Sequence, residues 1–181
     1  ITNAMYMISS AKLKKARKNL ENTEPYFHML QGTIARILRH LPEMEHMYFE
    51  TKEKAGKPDK KRGYIVVYAD KGLAGAYNHN VLKLTEECLE NGHNNTLFVV
   101  GELGREYFLQ KKIPIHTEFR YTVQDPNMTR ARDIADCVIS LYKEGKLDEI
   151  YMVYTYSENS LKMEAEVKRL LPLKREVFQA S

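Results

Sequence analysis

The chain has 181 residues, 43% of them apolar and 29% charged, with no low-complexity tract. That leaves room for one globular domain with a long extension, or two very small domains, and it excludes a wholly disordered chain. The formal charge of +4 is unevenly placed: residues 1–62 carry 13 basic and 7 acidic side chains, and residues 63–181 carry 15 and 17. The first third, at net +6, is the basic part, and this asymmetry calls for an explanation.

Cys88 and Cys137 form no CxxC motif and no ladder of spacings, a usage expected of a reduced compartment. No apolar run approaches the ~20 residues a membrane-spanning helix needs. With no signal peptide, Asn94-Asn95-Thr96 and Asn127-Met128-Thr129 read as sequons by chance. The sequence opens at Ile1 already in helical pattern, so an upstream stretch is expected.

Residues 1–41 predict one long helix. Leu13, Ala16, Leu20, Thr23, Phe27, Leu30, Ile34, Ile37 and Leu41 alternate spacings of three and four, the seam of a coiled coil with one polar lapse at Thr23. Ile1, Met5 and Ile8 extend an apolar stripe slightly rotated from it. At ~1.5 Å per residue the helix would reach roughly 60 Å, too long for the rest of the chain to bury end to end. Pro25 removes a helical hydrogen bond, and a bend near Glu24 is expected, with the seam resuming in phase. The shaft helix is expected over 1–50.

A charged linker containing glycine and proline is expected over 51–63, and a Rossmann-like α/β domain over 64–181. Tyr64–Ala69 predicts a buried strand, followed by a glycine-rich turn and a helix over about 77–91. Thr96–Val100 predicts a second strand and Glu102–Lys111 a helix. A strand near 115–121, a helix over 127–144 and an aromatic strand over Ile150–Tyr156 follow. The alternation of Met163, Ala165 and Val167 suggests an edge strand within 161–173. Strands alternating with helices imply a mostly parallel sheet covered on both faces.

The turn after the first strand reads Ala69-Asp-Lys-Gly-Leu-Ala-Gly-Ala-Tyr-Asn-His-Asn80. Glycines between a strand and a helix invite a phosphate-binding reading. However, only Gly72 and Gly75 stand where a dinucleotide fingerprint needs three glycines, and no P-loop string occurs. A tight structural turn is the better account. His28, His40 and His46 lack metal-ligand spacing. Asp133 and Asp136, at i and i+3, suit an exposed helix face, and Ser9-Ser10 has no partner base. No cofactor and no catalytic residue is expected.

Asp70, Lys71, Gly72, Leu73, Ala74, Gly75, Ala76, Tyr77, Asn78 and Asn80 resemble a motif of the gamma subunits of F-type ATP synthases, departing from it at Ala69. Ile1 to Leu13 resembles the same family's opening helix, Pro25-Tyr26 its P-Y pair, and Leu170-Leu171-Pro172-Leu173 the close of its globular part. The resemblance covers nearly the whole chain in the right order. The family's short leading stretch and long C-terminal helix are missing from this sequence.

The resemblance implies a central-stalk rotor subunit that carries torque between a membrane c-ring driven by protons (or sodium) and the catalytic hexamer. Such a chain would be non-catalytic and peripheral, at the cytoplasmic face of a bacterial cell membrane. The implied partners are the alpha and beta subunits, the epsilon subunit and the c-ring. Met5 and the basic cluster Lys12, Lys14, Lys15, Arg17 and Lys18 would face acidic hexamer loops, the bland alternative being ordinary core for Met5 and a solvated face for the lysines and arginine. No nucleic acid is expected, for want of interleaved aromatic residues or a known binding module. The C-terminal helix would be the partner of the seam, so within this sequence the stripe from Leu13 to Leu41 is expected to lack cover. It would pair with that helix or through self-association. A nucleotide-binding Rossmann-like protein and a coiled-coil adaptor are the alternative readings.

Overall fold

The computed structural model describes residues 23–40, 45–68, 75–116, 128–159 and 162–174. Helix α1 spans Thr23–Arg39, followed by the short α2 (Glu45–Tyr48) and α3 (Lys52–Gly56). Then come β1 (Arg62–Val67), α4 (Gly75–Glu90), β2 (Asn95–Val100), α5 (Glu102–Gln110) and α6 (Met128–Lys143). The hairpin of β3 (Glu149–Asn159) and β4 (Lys162–Leu171) closes the order.

The four strands form one sheet in the order β2-β1-β3-β4. β1 pairs in parallel with β2 and β3, so Ile65 stands opposite both Phe98 and Met152. β4 runs antiparallel to β3, with Val153 opposite Val167. The β-branched runs of β1 and β2 suit strands buried on both faces, and Gly63 to Val67 and Leu97 to Val100 are all buried. β4 behaves otherwise. Glu164 and Lys168 are exposed along it, and charge on an edge strand discourages pairing with another sheet.

Alternate side chains divide the core in two. Tyr64, Val66, Leu97, Val99 and Val153 pack with Val81 and Leu82 of α4 and Phe108 of α5. Ile65, Val67, Phe98, Val100, Met152 and Tyr154 pack with Ile134, Ala135 and Val138 of α6, and with Phe27, Leu30, Ile34 and Leu38 of α1. The domain is a three-layer sandwich, and α1 is half of one outer layer.

This placement corrects one expectation. The apolar stripe does not lack cover within the chain over its second half, because α6 and β3 bury Phe27, Leu30 and Ile34 there. Ile37 is half-buried against the same cluster. Helix α1 and the globular part therefore share one core. The hydrophobic demand of the helix is met by the nearest uncovered sheet face, at about 1.5–3 kcal/mol for each large side chain buried.

Within the expected linker, Lys52–Gly56 is helical, capped by Thr51, whose Oγ1 accepts the Lys54 N–H at 3.2 Å. Arg62 and Gly63 already belong to β1. Near the strand expected at 115–121, Ile115 makes an isolated parallel bridge to Leu97, and 117–121 lie outside the described residues. Pro25 lies in the first turn of α1 as described, and the chain before Thr23, where the bend would show, lies outside it.

One close approach sets the position of α5. A Cβ at Gly104 would stand 2.8 Å from the Tyr68 Cβ and 3.1 Å from a Val99 methyl. Gly104→Ala should therefore destabilise the fold by about 1–3 kcal/mol, as overpacking does. Gly32→Ala, where a Cβ meets nothing within 4 Å, should be neutral or slightly stabilising within a helix. Urea melts of the two variants check the contrast.

Candidate functional site

Two sets of contacts fasten α1 and the segment after it to the sheet. The first is apolar. The Phe27 ring stacks on Tyr154 of β3 with centroids 4.9 Å apart and planes 6° from parallel. Lys168 of β4 places its ammonium 5.4 Å from the centroid of the same ring, a favourable position over a π-face. Leu30, Ile34 and Leu38 continue the contact along α1 at helical spacing.

The second set lies where β1 and β3 begin. Glu149, 5% exposed, accepts from Arg62 Nε at 2.9 Å and has Lys60 Nζ and Arg169 Nη1 each at 3.7 Å. Arg169 also pairs with Glu50, so one arginine on β4 joins the segment after α2 to the start of β3. Burying a carboxylate is costly unless it is paired, and the three cations supply the pairing. Nearby, Asp148 accepts from Lys57 Nζ at 2.7 Å and from the Lys61 N–H at 2.9 Å. Burial pushes the Asp148 carboxyl up, but the bonds from Lys57 and Lys61 outweigh it, and the group lies below the usual aspartate range.

Backbone and side-chain bonds complete the fastening. Leu173 N–H donates to the Tyr48 carbonyl at 2.7 Å, and Glu50 N–H donates to the Leu173 carbonyl at 2.8 Å. Tyr142 Oη of α6 donates to the Met47 carbonyl at 2.7 Å. Lys54 Nζ donates to the carbonyls of Met47 and Phe49. Burial pushes the Lys54 ammonium down and Glu50 pulls it up, the net direction being down. Arg62, Glu149, Arg169, Glu50 and Lys54 thus hold the helix-to-sheet junction as one body. The arrangement resists relative movement, and it assembles no nucleophile with a base. Among the described residues, no group of His, Cys, Asp and Glu could hold a metal ion.

The sequence-predicted residues fall into three groups. Phe27, Leu30, Ile34 and Ile37 are brought together on one face of α1. Gly75 and Asn78 lie in the first turn of α4 and Asn80 is exposed on the same helix. Met5, Lys12, Leu13, Lys14, Lys15, Ala16, Arg17, Lys18, Leu20, Leu41, Asp70, Lys71, Gly72 and Leu73 lie outside the described residues. Sequence reasoning missed the Glu149 network, whose members lie far apart in the sequence.

Glu149→Ala leaves Arg62, Lys60 and Arg169 without their shared counter-charge and should cost about 3–5 kcal/mol. Lys146→Ala breaks an exposed pair with Glu144 and should stay within about 0.5 kcal/mol of the parent. Chemical denaturation measures both. Asp148, with its pKa depressed, contributes stability above the ordinary aspartate range, and this is lost as pH falls through its folded pKa. Asp148→Asn should therefore flatten the acid side of the stability–pH curve below about pH 4.

A family model described as ATP synthase matches residues 1–180. The ATP synthase gamma chain of Acetivibrio thermocellus is 44% identical over 179 residues, 99% of this chain and 60% of that relative. That of Ruminiclostridium cellulolyticum is 47% identical over 174 residues, covering 96% and 58%. This chain thus spans less than two thirds of the length of these curated relatives. A cryo-EM structure of the central stalk and c-ring of the Tetrahymena thermophila mitochondrial ATP synthase shares the fold, with a TM-score of 0.56, 21% identity and coverage of 95% of this chain and 72% of that one. The gamma-like sequence motif at Asp70–Asn80 and the match across residues 1–180 agree, and this chain belongs to the ATP synthase family.

Proposed function

We propose that this chain forms the larger part of a central-stalk rotor subunit, carrying torque between an ion-driven membrane ring and a catalytic hexamer of alpha and beta subunits. The observation that carries this reading is the similarity to gamma chains along essentially the whole chain, from Ile1 to Ala180. The helix-to-sheet junction supports it physically. A rod transmits torque only if its attachment does not yield, and here α1 shares a core with the domain, while a buried charge network holds the segment that follows it.

The expected shaft helix over 1–50 is cut short, since α1 ends at Arg39 and Phe49 already bridges to Leu173. In this reading the rod is the N-terminal helix that ends with α1, paired beyond the domain with the family's C-terminal helix along Leu13, Ala16 and Leu20. Met5 and the cluster Lys12, Lys14, Lys15, Arg17 and Lys18 meet the hexamer. Opposite charge guides the register there without a dry contact, so the rod can turn. The rod performs no chemistry. It shifts each catalytic site only by its differential contact energy with that site's alternative states. The α/β domain sits at the base with the epsilon subunit and the c-ring, on the cytoplasmic face of a bacterial membrane. No helix among the described residues is long and apolar enough to cross a membrane, which suits a peripheral part.

The test is a chimera in which this chain is continued by the C-terminal segment of the Acetivibrio thermocellus gamma chain and co-expressed with that organism's alpha and beta subunits. It should co-purify with the hexamer. Reversing Lys12, Lys14, Lys15, Arg17 and Lys18 to Glu should weaken assembly, most at low salt, where charge is least screened. A folded chimera that elutes apart from alpha and beta would refute the reading.

A further inference from the structure

We draw no further inference here: the strongest candidate, the groove of about 500 Å³ between α1 and the end of β4 lined by Phe27, His28, Gln31, Ile34, Lys168 and Lys174, carries nothing, because among the described residues nothing shows what covers it and a C-terminal helix laid along α1 would only restate a property of the family.

Discussion

The Phe27–Tyr154 stack, with the aliphatic contacts that extend it along α1, is the interaction on which the rest of the architecture depends. A parallel sheet must be covered on both faces, and α4 and α5 serve one of them. On the other, α6 packs beside the second half of the stripe on α1. Without α1, Tyr154, Met152 and Val67 would lose part of their cover. Without the sheet, Leu30 and Ile34 would face water.

The polar junction depends on this packing and adds direction to it. Hydrophobic burial alone is tolerant of sliding. The Glu149 cluster is not, since its carboxylate meets the Arg62 donor and the cations of Lys60 and Arg169 only in one register of β1, β3 and β4. Arg169 extends the constraint to Glu50, and Lys54 and Tyr142 to the carbonyls beside α2. The segment leaving α1 is therefore held from both sides at the amino ends of β1 and β3. Stiffness at this point follows from buried charge with specific partners, where a purely apolar joint would yield more readily.

The edge of the sheet shows a related division of labour. β4 pairs with β3 through Val167 and Ala165 while presenting Glu164 and Lys168 to solvent. It completes the core and discourages further strand addition. Its last residues then contribute Arg169 to the charge network, and Leu173 beyond it pairs with Tyr48 and Glu50. One strand closes the sheet and anchors the segment after α1.

Local pattern alone determined the order of the main strands and helices, but not the short helices α2 and α3. Continuous β-branched runs marked β1, β2 and β3, alternation marked β4 as an edge, and helical spacing marked α4, α5 and α6. The stripe on residues 13–41 was legible as apolar for the same reason, since periodicity reports which side of a helix is buried. What covers that side is a matter of distant partners, and only the tertiary structure decided that Phe27, Leu30 and Ile34 meet α6 and β3. The Glu149 cluster was unreadable for a similar reason. Its members stand at positions 50, 60, 62, 149 and 169, and only the strand order β2-β1-β3-β4 brings charges so far apart in sequence within reach of one carboxylate.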